Sequence, residues 1–267
     1  MPNYRKIVIR RFDIYILSNF VYYINWNLFV KVHFLMPTAL YTVITGSYDA
    51  VKQPLVEMPG VDCYLFTNNP TIQDAGVWKV VHIPSEVWQG RSERENNILL
   101  SRKVKMLPHV YLPQGYDLSI YIDADMLIKR PLTELLDALN KETLFAACRH
   151  GYCASVREEI NDLINKGIVN AHQVELQWQR YVEWGYKDTD GISENGLLIR
   201  RHNDERVIQL MELWWEEYQY GCLRDQVSLM PCMNRLGFMP YFQFIEENIR
   251  QNEYVDVMRH KEIGRKI

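Results

Sequence analysis

The stretch Tyr116–Leu136, YDLSIYIDADMLIKRPLTELL, decides how this chain is read. Leu118 to Ile122 is a short run of β-branched and aromatic residues, which reads as a buried strand. The run ends on two aspartates, Asp123 and Asp125, separated only by the small Ala124. If the backbone stays extended there, residues i and i+2 point the same way and both carboxylates face one side. Like charges held that close repel, and burial makes each costlier. The pair therefore predicts a positive partner between its members. An acidic pair that merely solvates a turn would spell the same three letters.

On either side of this stretch the pattern alternates. TALYTVIT before the turn GSYDA, then VDCYLFTNN and VWKVVHIP, read as three strands. SERENNILLSRKVKML is amphipathic and helix-like, and RPLTELLDAL predicts a helix with Pro131 in its first turn, where the missing N–H is harmless. Alternation of this kind implies an α/β fold with a largely parallel sheet and helices on both faces. The second half is richer in helix. Ser155–Glu158 forms a candidate capping box with Gly167 as a stop. Asn170 caps a further helix that Gly185 ends, and Val207, Leu210, Met211, Leu213 and Trp214 mark the apolar side of another. SENGLLIRR and FMPYFQFI look like strands, and RDQ opens a helix.

The bulk properties narrow the function. The 267 residues suffice for one large domain or two small ones, and a net charge of -3 argues against broad nucleic-acid binding. Five cysteines without CxxC spacing fit a reducing compartment, so the expected location is the cytoplasm. The first 35 residues differ: a basic start is followed by an uncharged run, Ile14 to Val30, that contains Asn19, Asn25 and Asn27. Residues 1–35 are read as an extension ahead of a domain over 36–267. Three readings of it stay open: a leader upstream of the true start at Met36, a weak membrane-associated segment that would hold the protein at the inner face of the membrane, or an ordinary packed extension.

In open α/β sheets ligands bind beyond the carboxyl ends of the strands, where Asp123 and Asp125 are expected. Oxygen ligands without a His or Cys cluster favour Mg²⁺ or Mn²⁺, and Mg²⁺ completes its shell with water and phosphate oxygens. The pair suits a metal–diphosphate ligand.

The segment YIDADMLIKRPLTELL resembles the donor site of retaining glycosyltransferases of the glycogenin type, family eight, which have a GT-A fold: a single Rossmann-like domain with an Asp-x-Asp metal site. A closer similarity covers residues 38 to 245. TVITGSYD, KMLPH, YDLSIYIDADM, RHGYC with EEI, YVEWGY, ISENGLLIRRHND, LWWEEY and RDQVSL recur in that order in one family. It is the glycosyltransferase-like domain of bacterial proteins and of plant mucilage- and turgor-related proteins.

The resemblance implies a metal-dependent glycosyltransferase with a nucleotide-sugar donor, UDP-linked by preference, and a glycan, lipid or protein acceptor. Under it Asp123, Ala124 and Asp125 hold the metal and donor diphosphate, and Lys105 adds a positive contact. Thr45, Gly46 and Tyr48 receive the nucleotide, Asn195 and Gly196 touch the donor sugar, and Asp225 and Gln226 stand at the reacting centre. Asp225 could equally be a helix cap. His260 is the expected third metal ligand, although its spacing to Gly264 is one residue longer than the family-eight His-x-x-Gly. Arg149, His150 and Glu159 are expected at the acceptor. Retention and inversion both stay open. The competing reading is a non-catalytic sugar-nucleotide or glycan-binding module of the same fold, and a nucleotidyltransferase would need a glycine-rich phosphate loop that the sequence lacks.

Overall fold

The computed structural model describes residues 37–47, 51–245, 249 and 252–258, with the backbone of four strands between residues 6 and 33. Those strands, β1 (Lys6–Ile9), β2 (Phe12–Leu17), β3 (Phe20–Asn25) and β4 (Leu28–His33), form an antiparallel sheet in chain order. The chain divides into two compact units, Met1–Pro37 and Thr38–Ile267.

The second unit is built on a seven-stranded sheet. Its strands in chain order are β5 (Thr38–Ile44), β6 (Val61–Thr67), β7 (Lys79–His82), β8 (Leu118–Ile122), β10 (Phe145–Arg149), β11 (Ser193–Arg200) and β12 (Phe242–Ile245). Across the sheet they run β12-β10-β11-β8-β5-β6-β7. Neighbouring strands are parallel except at β11, which is antiparallel to both β8 and β10. A two-stranded antiparallel sheet pairs β9 (Met126–Ile128) with β13 (Val255–Val257) beside it.

The helices are α1 (Glu93–Met106), α2 (Pro108–Tyr111), α3 (Val156–Asn165), α4 (Ala171–Glu183), α5 (Glu205–Tyr220) and α6 (Asp225–Arg235). Local chemistry sets their limits. Ser92 and Glu95 form a capping box on α1, Asn170 caps α4, and Asp204 caps α5. Gly167 and Gly185, at φ +65° and +84°, end α3 and α4 as expected. Ser155 caps α3, but the Glu158 carboxylate takes the Ala154 N–H rather than that of Ser155, so the expected capping box is half formed. RPLTELLDAL is not an α-helix: Leu132–Ala138 is 3₁₀. Its three-residue period stacks Leu132 and Leu135, both buried, on one side.

Tyr41, Tyr64, Tyr121 and Leu198, in register on one sheet face, pack with Leu100 of α1, Ile160 of α3, Val174 of α4, Trp214 of α5 and Val227 of α6 in one continuous core. Leu40, Leu65, Ile120 and Ile199 alternate onto the other face and are buried too. Burial on both faces is what a mostly parallel sheet requires.

Candidate functional site

The carboxyl ends of the parallel strands carry the polar residues. β8 stops at Ile122, and Asp123–Ala124–Asp125 is a turn, not the extended segment that the i, i+2 argument assumes. The Asp123 N–H donates to the Gly196 carbonyl at 2.9 Å, and the Met126 N–H returns to the Asp123 carbonyl at 3.1 Å. On the far side Met258 donates its N–H to the Asp125 carbonyl at 2.7 Å. The turn is thus clamped between β11 and the small sheet. Gly196 makes the approach of β11 possible. A Cβ there would lie 2.3 Å from Met126 Cε, 3.0 Å from Ile249 Cδ1 and 3.2 Å from Asp123 Oδ2.

Cations arrive from α1. Arg102 and Lys105 are three residues apart and so share a helix face. Lys105 is buried, with Nζ 2.6 Å from Asp225 Oδ2 and 3.7 Å from Asp123 Oδ1. Arg102 stands 3.8 Å from Asp123 and 3.9 Å from Asp225. These two cations lie between Asp123 and Asp225. The Tyr121 hydroxyl donates to Asp123 Oδ1 at 2.7 Å. Asp225 opens α6 but does not cap it; Arg224 holds the cap position. Burial alone would push the Asp225 carboxyl up, but Lys105, Arg102 and Arg224 outweigh it and hold the group well below the usual carboxylate range.

Lys105, Asp123, Asp125, Asn195, Gly196, Asp225 and Gln226 all line one cleft of about 210 Å³, with Arg102, Glu194 and Arg224. Sequence reasoning missed these last three. Arg102 was one helical turn from Lys105, and Arg224 adjoins Asp225. Asn195 is buried, and its Oδ1 accepts from the Ser193 hydroxyl at 2.7 Å. Its Nδ2 is buried with no partner among the described residues. A buried donor left open this way is costly unless an oxygen ligand answers it. Among the described residues the ionisable lining offers carboxylate oxygens and no imidazole or thiol, which fits Mg²⁺ or Mn²⁺.

Thr45 and Gly46 follow β5 at the same sheet edge but do not line this cleft. The Thr45 hydroxyl donates to the Asn97 carbonyl at 2.7 Å, Gly46 donates its N–H to Asn68 Oδ1 at 2.7 Å, and Asn69 Nδ2 donates to the Gly46 carbonyl at 2.8 Å. Gly46 has φ +61°, and a Cβ would meet Asn97 Nδ2 at 2.8 Å. Tyr48 and His260 lie outside the described residues.

Arg149 and His150 line a second cleft, of about 300 Å³, with Gly151, Tyr152, Cys153, Ala154 and Ile192. Glu159 joins the two clefts. One oxygen lies 3.7 Å from Arg224, while the other is 3.8 Å from His150 Nε2 and 3.5 Å from Cys153 Sγ. His150, Cys153 and Glu159 have metal-ligand character, but their bonding points elsewhere. His150 Nδ1 accepts the N–H groups of Cys153 at 2.9 Å and Tyr152 at 3.3 Å, which leaves the ring proton on Nε2, facing Glu159. Burial, then Glu159, pushes the Cys153 thiol up to about 11. The three form a hydrogen-bonding group.

A family model described as TOD1/MUCI70, glycosyltransferase-like domain, matches residues 65–260. The chain belongs to this family. The match takes in every described residue of both clefts and leaves out Thr45 and Gly46. As a TOD1/MUCI70 glycosyltransferase-like domain the chain has the expected α/β fold around a mostly parallel sheet with helices. No curated protein matches it in sequence. Among solved structures it is similar to mouse xyloside xylosyltransferase 1 in its apo form, at 12% identity and a TM-score of 0.46, over 78% of this chain and 84% of that one. The apo WbbM bifunctional glycosyltransferase is similar at 13% identity and 0.45, over 79% of this chain and 39% of that one. The galactosyltransferase LgtC, in complex with donor and acceptor sugar analogs, is similar at 14% identity and 0.42, over 74% and 70%. Among the described residues no helix is long and apolar enough to cross a membrane.

Proposed function

We propose that this domain is a metal-dependent glycosyltransferase that takes its sugar from a nucleotide-sugar, UDP-linked by preference, and passes it to a carbohydrate or glycoconjugate. The observation that carries the reading is the meeting of the Asp123–Asp125 turn with Lys105, Arg102 and Arg224 around one cleft. Among the described residues, four acidic side chains (Asp123, Asp125, Glu194, Asp225) and three basic ones line it. One divalent ion would tip that balance positive, as a diphosphate requires. Asp123 and Asp125 would hold the ion. Bound there, it supplies a Lewis acid for the charge left on the departing nucleoside diphosphate. Arg102, Lys105 and Arg224 add fixed positive charge at the same place. The open Asn195 amide suits a sugar or phosphate oxygen.

Asp225 enters this reading as an electrostatic group. A carboxylate kept ionised by a buried lysine is a weak base, so the geometry favours charge stabilisation below the reacting sugar over proton abstraction. Gln226 beside it offers an amide to the same space.

Calorimetric titration with UDP, with and without Mn²⁺, tests the reading. Mn²⁺ should raise UDP affinity, and Asp125→Asn should lower the Mn²⁺-dependent affinity at least ~10-fold, about 1.4 kcal/mol. UDP binding indifferent to Mn²⁺ in both proteins would contradict it. Hydrolysis of a UDP-sugar by the wild type separates an enzyme from a binding module.

A further inference from the structure

The strand order arranges the candidate site along one line. At the sheet edge, β5 brings Thr45 and Gly46, β8 brings Asp123 and Asp125, and β11 brings Asn195. β10 is next, and Arg149, its last residue, pairs with Ser193 of β11. Neighbouring strands lie about 4.8 Å apart, so β10 ends about one strand spacing beyond the donor-sugar residues, on the side away from the nucleotide loop. The second cleft opens there. From this geometry we infer that the cleft formed by Arg149, His150, Tyr152 and Cys153 is a carbohydrate-binding subsite that receives the acceptor sugar, with Tyr152 as its stacking platform. The inference rests on the donor reading of the first cleft.

Three features support it. The cleft holds about 300 Å³, the scale of one or two sugar rings, and small residues, Gly151 and Ala154, leave its floor open. Tyr152 is 76% exposed beside it, an amphipathic ring that water does not favour and that a pyranose face can cover. The polar groups are pre-set. His150 is locked by the two backbone donors on Nδ1, and the Arg149 guanidinium lies 3.9 Å above the Phe244 ring. Glu159, buried, lies 3.7 Å from Arg224 of the donor cleft and 3.8 Å from His150 of this one, and so links the two. A sugar in the second cleft would therefore lie beside the donor cleft.

Saturation-transfer NMR tests the subsite with defined probes: the methyl glycosides of glucose, galactose, mannose, xylose, N-acetylglucosamine and glucuronic acid at millimolar concentration. At least one should show transfer to its ring protons. That signal should fall at least ~5-fold in Tyr152→Ala, whose melting temperature should match the wild type because the side chain is exposed. It should persist in Asp125→Asn, which lies in the other cleft. No transfer to any glycoside, or transfer that survives Tyr152→Ala, overturns the subsite. Loss of Mn²⁺-dependent UDP binding in the wild type is a separate result and would remove the donor reading instead.

Discussion

Lys105 and Asp225 are 120 residues apart in sequence and 2.6 Å apart in the fold. Their pairing shows which residues the sequence could name and which it could not. The Asp-x-Asp pair stands out as two carboxylates at the end of an apolar run, whereas Lys105, Asn195 and Asp225 are picked out by the family resemblance alone. Their mutual positions do not stand out, because no local pattern encodes a contact over that separation. Arg102 and Arg224 passed unnoticed for the same reason: each looks like a solvated charge until the fold places it beside Asp123 or Glu159. Gly196 is the residue on which the geometry turns. Gly196→Ala puts a methyl against the ends of the Met126, Ile249 and Asp123 side chains, so Met126 at least must shift. Overpacking of this kind costs about 1–3 kcal/mol. The variant should fold with a lowered urea midpoint and lose UDP–Mn²⁺ affinity at least ~10-fold; wild-type affinity would mean that the acidic turn is not shaped by β11.

At the scale of elements, the end of α1 is what aims Lys105. The Lys105 carbonyl belongs to the last turn, where helix acceptors lack intrahelical partners. Here it accepts from the Tyr41 hydroxyl at 2.7 Å and from Arg200 at 3.0 Å, and Arg200 also donates to the Tyr41 oxygen. All three side chains are buried. On the other side, Trp214 Nε1 donates to the Asp225 carbonyl at 3.0 Å. The ion pair is thus held through the backbone at both ends. Tyr41→Phe removes one donor and leaves Arg200 short of an acceptor, a loss of about 1–3 kcal/mol by urea denaturation. Stability within about 0.5 kcal/mol of the wild type would show that the network does not hold α1. Most elements were legible through their caps and periodicity, as with Asn170 and Gly185. FAACR was not read as a strand, since only Phe145 favours one. β10 forms because β11 and β12 pair with it on both sides.

For the whole molecule, the sheet's alternation was readable but its one reversal was not. Strand direction leaves no mark in a segment such as SENGLLIR. Because β11 runs against its neighbours, its beginning reaches the edge where they end, and Asn195 and Gly196 meet the acidic turn. That reversal places Asn195, Gly196 and the His150 cleft side by side on one rim. The central claim is that the Asp123–Asp125 turn holds the metal of a nucleotide-sugar site. Anomalous diffraction at the manganese edge, from crystals grown with UDP and Mn²⁺, tests it most directly. The account predicts one strong peak about 2 Å from carboxylate oxygens of Asp123 or Asp125, with the UDP phosphates beside it and Lys105 and Arg102 close by. A peak at His150 and Glu159 instead, or UDP bound in the cleft with no manganese at the turn, would contradict it.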